Sequence, residues 1–301
     1  MSLKGKIALI TGASRGAGRG IAIELAQERV KVYITGRSRR GKKETTQHKK
    51  LTLDDTTDII TKMGGRAIPI TCDHTQEKEI RNVFNQINRD EGKLDILVNN
   101  VWGGYMGEYG KLDIETASFS APFWEQPLWR FDKMFNTALR AHYIASQLAA
   151  PLMMAQNEGL IITTSFWDQD KYISNLPYDL VKMAKKRLSY GMAIELQPYN
   201  ITAITIGLGW IRTEHLKNEN DLDDENYKHR EGFELTESTR YVGRAIVALA
   251  SDPNRIKYTG KVLTTSELAR IYQFTDLDGT QPKYFSIPDK SNGITQRQSQ
   301  K

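Results

Sequence analysis

Short apolar runs alternate along this chain with longer stretches in which apolar residues return every three or four positions. The runs at 6–11, 31–35, 67–71, 94–98, 159–164, 201–206 and 261–264 predict seven strands. They are apolar through their length rather than alternating, as expected of strands covered on both faces. Between them, 17–27, 55–62, 76–89, 129–154, 177–196 and 238–250 carry the spacing of helices. Strand–helix alternation of this kind predicts an α/β fold, a doubly wound parallel sheet flanked by helices on both faces. No internal repeat or low-complexity linker interrupts it, so residues 1–301 read as a single domain. Three segments exceed the minimum: a polar loop at 39–53, an aromatic loop at 102–127 and an extension after Tyr272. Long loops in compact domains tend to be functional or mobile.

Two patterns carry chemistry. Thr11-Gly12-Ala13-Ser14-Arg15-Gly16-Ala17-Gly18 joins the first strand to the first helix. Glycines there permit a tight turn and a close approach of backbone to a pyrophosphate, which the free N–H groups and dipole of a helix N-terminus attract. Far downstream, Tyr178 and Lys182 stand four apart, on one face if that segment is helical, where an ammonium stabilises a phenolate. Dinucleotide binding and proton transfer together point to an oxidoreductase. The second strand ends in Gly36-Arg37 without the carboxylate that usually takes an NAD ribose hydroxyl. Arg15 and Arg37 are instead suited to the 2′-phosphate of NADP(H), through charge-assisted bonds. The bland alternative is two solvent-facing arginines.

Between those patterns lie Asn99-Asn100-Val101-Trp102 after a strand, Asn136 on a helix, and Ser165 at the end of an apolar run, thirteen residues before Tyr178. The set resembles the classical short-chain dehydrogenase/reductase family over roughly residues 5–270. Val101-Trp102 stands where the family has Ala-Gly, and Leu208-Gly209 where it has Pro-Gly; both departures bear on pocket shape. Within the family, Val32-Tyr33-Ile34-Thr35-Gly36-Arg37, Arg140-Ala141-His142-Tyr143 and Leu176-Pro177-Tyr178 look like the dehydrogenase/reductase member 1 branch. The resemblance implies a single Rossmann-type domain with Tyr178 as general acid/base, Ser165 hydrogen-bonding the substrate oxygen, and Asn136 supporting a water relay. Lys182 would both lower the Tyr178 pKa and hold the nicotinamide ribose. It also assigns NADP(H) to Gly12, Ser14, Arg15, Gly16, Ala17, Gly18, Arg37, Asp73 (adenine amino group), Asn99 (channel lining), Tyr178, Lys182, Ile211 and Thr213. A homodimer or homotetramer built through two long helices is implied in the same way.

Composition narrows the setting. With 301 residues, 39% of them hydrophobic, the chain can bury a full α/β core. No apolar stretch reaches membrane length, and no signal peptide opens it. The single Cys72 cannot form an internal disulfide, which suits a reducing, cytoplasmic setting and a packing role. The net charge of +6 is partly concentrated in residues 37–43 and 49–50, which read as a solvated loop or an attractor for a polyanionic cofactor; no nucleic-acid motif accompanies it. No metal site is expected. Trp102, Trp167 and Trp210 each follow a strand's carboxyl end, where doubly wound sheets bind ligands. They predict an aromatic pocket for a bulky, mostly apolar carbonyl compound or secondary alcohol, with 102–127 as a glycine-containing lid. Two other classes compete: a non-catalytic NADP-binding regulator, and lyase or epimerase chemistry on the same fold.

Overall fold

A computed structural model describes residues 1–42, 51–104, 119–166, 171–172, 175–219 and 227–286. Seven strands form one parallel sheet: β1 (Ile7–Thr11), β2 (Lys31–Gly36), β3 (Arg66–Thr71), β4 (Ile96–Asn99), β5 (Gly159–Ser165), β6 (Ile201–Gly207) and, as its seventh member, β9 (Val262–Thr264). Their order is β3-β2-β1-β4-β5-β6-β9. The chain winds outward one way from β1 and then the other way from β4. The switch point between these strands is where such sheets open a crevice for a ligand.

The seven predicted strands are all present; the five inner ones are buried under apolar side chains on both faces, while the edge strands β3 and β9 are largely half-buried. Ile10, Val98, Ile162 and Ile204 face one core with α1 (Gly16–Gln27), α2 (Leu53–Lys62) and α8 (Tyr241–Ser251). Leu9, Leu97, Ile161 and Ala203 face the other, with α3 (Glu77–Glu91), α5 (Ala141–Met154) and α6 (Leu176–Leu196). The helix predicted over 129–154 is continuous but not uniform. It opens as α4 (Leu128–Met134), passes through a π-helical turn at Phe135–Arg140 and continues as α5. Such turns cluster at functional sites.

Four further elements escape the sequence pattern. β7 (Trp210–Arg212) and β8 (Thr236–Ser238) form a separate parallel pair, α7 (Glu214–Glu219) follows β7, and α9 (Thr265–Tyr272) follows β9. Three-residue strands are too short to display a period, and α7 spans less than two turns. Among the described residues no helix is long and apolar enough to cross a membrane.

Candidate active site

At the switch point two short side chains lock the strands. Thr11 donates through Oγ1 to Val98 O at 3.2 Å and accepts from the backbone N–H groups of Asn100 and Val101 at 2.9 and 3.1 Å. The Asn100 amide donates to Thr11 O and Gly12 O at 3.0 and 3.2 Å. The glycines of the turn are obligatory here. Gly12 has φ +71°, and a Cβ on it would lie 2.9 Å from Val101 Cα. A Cβ on Gly18 would fall 2.3 Å from Gly12 O, so only hydrogen lets the turn fold back on α1.

The α1 N-terminus already attracts an anion. The backbone N–H of Gly16 donates to Glu214 Oε2 at 2.8 Å, and Arg19 pairs with the same carboxylate at 3.3 Å. A carboxylate from α7 thus stands where a phosphate-bearing ligand would bind, and the donor set fits a dinucleotide. Thr213 lies over the same turn, its Cγ2 3.7 Å from where a Gly16 Cβ would be. Ile211 sits half-buried in β7, in register with Glu237.

The arginines of the basic loop divide into two groups. Arg39 takes Asp54 in a fork at 2.7–3.1 Å, and Arg40 bridges Asp55 and Asp58 at 2.8 and 2.7 Å. Both serve α2. Arg37 is exposed with no ion pair among the described residues, and it repels Arg15, whose guanidinium is pulled below its ordinary value mainly by burial. Glu214 offsets part of the charge on Arg15, while Arg37 and Arg19 add to it.

Asp73 turns one carboxylate oxygen into its own loop, accepting from Thr75 N and Oγ1 at 2.9 and 2.8 Å. Asn99, expected to line the channel, is fully buried on the α5 side and donates to Ser146 Oγ at 2.9 Å. Asn100 is the side chain that reaches the glycine turn. Burial pushes the Cys72 thiol up to about 12, in line with a packing role.

Three of the four expected catalytic residues meet around α6. Ser165 ends β5, buried, and its hydroxyl donates to Lys182 O at 3.1 Å. Lys182 Nζ lies 4.9 Å from the Tyr178 ring centroid and 4.1 Å from that of Trp102. Burial pulls this ammonium down to about 7. Tyr178 is itself buried, edge-on to Trp102 at 5.5 Å and to Phe119 at 6.2 Å.

Asn136 does not join them. It is exposed, whereas Ala138, two residues on and across the helix, packs into the cluster of Phe119, Met134, Tyr178 and Val181. The face that meets Tyr178 carries a methyl group and not an amide. Of the expected pocket tryptophans, Trp102 lies on Tyr178, and Trp210, the first residue of β7, is half-buried against Phe233. Trp167 and residues 105–118 of the expected lid lie outside the described residues.

Three further residues belong to the site. Asn175, fully buried, caps α6 by accepting from Tyr178 N at 2.9 Å, while its own amide donates to Phe119 O at 2.6 Å. That bond sets the height of Tyr178 on the first turn. The signal was present in Asn175-Leu176-Pro177, a cap residue with proline just inside the helix. Lys185, one turn beyond Lys182, is buried with its Nζ 5.8 Å from the Trp102 ring centroid; burial and Lys182 hold it far below the ordinary lysine value. His142, fully buried on α5, bonds Val101 O through Nε2 at 3.1 Å and is held well below 6.5 by burial. Nothing in the local pattern distinguishes these last two from surface polar residues of a helix.

Residues 6–224 match the family model for short chain dehydrogenase. The chain belongs to the short-chain dehydrogenase/reductase family. Within it, the chain is 36% identical over 292 residues to "Dehydrogenase/reductase SDR family member 1" of Mus musculus, covering 95% of this chain and 88% of that one. It is 31% identical over 218 residues to the 7alpha-hydroxysteroid dehydrogenase of Escherichia coli strain K12, covering 72% and 75%. A solved structure of a 7alpha-hydroxysteroid dehydrogenase, complexed with NADH and 7-oxo glycochenodeoxycholic acid, superposes with a TM-score of 0.67 at 25% identity, covering 93% and 96%. Short-chain dehydrogenases/reductases are oxidoreductases, and the seven-stranded sheet described above is their Rossmann fold.

Proposed function

We propose that this protein is an NADP(H)-dependent oxidoreductase acting between a bulky, mostly apolar carbonyl compound and its secondary alcohol. One observation carries the reading: Lys182 Nζ sits 4.9 Å from the centroid of the buried Tyr178 ring, and the Ser165 hydroxyl is bonded to the same turn of α6. A nicotinamide dinucleotide supplies the hydride when bound. Tyr178 then gives its phenolic proton to the substrate oxygen. A phenol of ordinary pKa about 10 is a poor acid at neutral pH, and the adjacent ammonium favours its ionised form. Ser165 turns its hydroxyl from Lys182 O to the same substrate oxygen, sharing the charge that develops there. Trp102, Phe119 and Met134 exclude water from the proton transfer.

Gly12, Ser14, Gly16, Ala17, Gly18 and Thr213 would hold the dinucleotide along the turn, with Asp73 near the adenine, Ile211 beside the nicotinamide and Lys182 on the ribose. The repelling pair Arg15 and Arg37 favours a 2′-phosphate, which would relieve their mutual charge. A relay through Asn136 has no support from its exposed position. Along the outer face of α6, Leu180, Met183, Tyr190 and Ile194 are exposed, with Tyr143 on α5. That apolar stripe supports a homodimer or homotetramer packed through the two long helices. A single buried, unpaired cysteine suits the cytoplasm.

The test is a titration of NADPH and NADH followed by turnover on a panel of ketones. NADPH should bind more tightly, and Arg37→Asp should cost roughly 1.5–3 kcal/mol of that preference. Equal affinity of the wild type for both cofactors would refute the NADP assignment. A failure to reduce any ketone or aldehyde would remove the reductase reading.

A further inference from the structure

Beyond α9 the chain turns back over the carboxyl ends of the strands, pinned at several points. Asp276, buried, accepts from Ser238 N at 2.8 Å and from the Ser238 hydroxyl, and it faces Arg212 at 3.6 Å. Arg244 donates to Thr275 O and Asp276 O at 2.7 and 3.1 Å. Asp278 accepts from the Tyr227 hydroxyl at 2.6 Å. So anchored, the segment delivers Tyr284 to the site. Its hydroxyl donates to Leu208 O at 3.1 Å, Leu208 N donates to Ser165 O at 2.8 Å, and the Ser165 hydroxyl reaches α6.

The aromatic side chains at this edge pack as two pairs, joined through the neighbouring residues Tyr284 and Phe285. Tyr284 stacks on Phe166, the residue after Ser165, with ring centroids 6.4 Å apart and planes at 21°. Phe285 meets Trp210 at 5.5 Å. All four rings are half-buried although each packs on another, whereas Tyr33 and Tyr241 of the core are sealed. None of the four carries a charge. Rings partly open at the carboxyl edge of a doubly wound sheet face the region where ligands bind.

We infer that Tyr284 and Phe285 are specificity-determining residues, forming with Phe166 and Trp210 an aromatic wall that receives the flat, uncharged ring system of a carbonyl substrate. This deepens the reductase reading and rests on it. Ring faces of this kind favour planar apolar partners through offset and edge-to-face contacts, and they do little for a small aliphatic ketone.

The experiment compares full-length wild type with Tyr284→Ala, Phe285→Ala and Tyr284→Phe, each checked by thermal melting. Reduction of acetylnaphthalene and of butanone by NADPH is followed, together with quenching of tryptophan fluorescence by acetylnaphthalene alone. Both alanine variants should raise KM for acetylnaphthalene about tenfold and shift that for butanone less than about twofold. Tyr284→Phe, which keeps the ring, should retain the wild-type KM for acetylnaphthalene. Equal losses on both ketones would show a merely structural tail, and unchanged kinetics would leave the wall no role; either result overturns the inference. If the wild type binds acetylnaphthalene without reducing it and the alanine variants lose that binding, the wall stands and the reductase reading falls. A wild type that neither binds nor reduces it overturns the wall.

Discussion

Glu214→Gln offers a direct test of how the glycine turn holds anions. In the free protein this carboxylate accepts the Gly16 N–H at 2.8 Å and pairs with Arg19 at 3.3 Å, and it is the main counter-charge to the half-buried Arg15. A hydrogen bond to a charged acceptor is worth about 1 kcal/mol more than its neutral equivalent. The ion pair, partly exposed, adds about 0.2–1 kcal/mol, and the charge at the helix N-terminus about 0.3–1 kcal/mol. These terms overlap, so the substitution should destabilise the free protein by about 1–2 kcal/mol, a Tm lower by a few degrees at this size. A dinucleotide phosphate must displace Glu214 to reach the Gly16 N–H. What the carboxylate contributes to the free state is therefore subtracted from binding, and Glu214→Gln should tighten NADPH about 5–30-fold. Fluorescence titration gives the affinity, and melting with and without saturating NADPH gives the stability. The two proteins should differ in Tm when free and converge when saturated. A lower free Tm with unchanged or weaker affinity would show that the carboxylate and the ligand do not compete, and the reasoning would fail.

Tyr178→Phe should abolish turnover and leave NADPH affinity within a factor of about two, as kinetics and titration on the same preparation will show, since only the hydroxyl is lost. Lys182 titrates at about 7 in the free protein, and nearby phosphates raise it. NADPH binding should therefore take up protons above pH 7 and weaken as the pH climbs, an uptake that calorimetry in two buffers will detect and Lys182→Met should remove. His74, buried against the Thr35 hydroxyl at 2.8 Å, is pulled down to about 4 by burial. Its neutral form contributes stability that is complete above pH 6.5 and lost as the pH falls towards 4, about 3 kcal/mol in all. Glu237, pushed up to about 7 by burial, acts in the opposite sense over part of that range, so the wild-type curve alone will not isolate the effect. Denaturant melts of His74→Gln at pH 6.5 and 4.5 should show a smaller acid loss than wild type; identical losses would remove His74 from the account.

Much of this protein was legible in the order of its residues. Seven apolar runs place the strands, the five inner ones because burial on both faces admits little else, and the glycines at 12, 16 and 18 mark the turn because a side chain at 12 or 18 would collide with backbone. The Tyr178–Lys182 spacing states its own geometry, since four residues make one helical turn. Which residue of 135–140 meets Tyr178 was not legible, because position on a helix depends on rotation about its axis, and in this π-helical turn Ala138 packs there while Asn136 is exposed. Only the tertiary structure could bring Glu214 to a helix nearly two hundred residues earlier, bury Lys185 and His142 beside Lys182, or lay Tyr284 over the end of β5. Those contacts join segments distant in sequence, and their energies come from desolvation and charge in a shared interior. No local period encodes them, because the partner that makes a lysine buried or a tail ordered lies elsewhere in the chain.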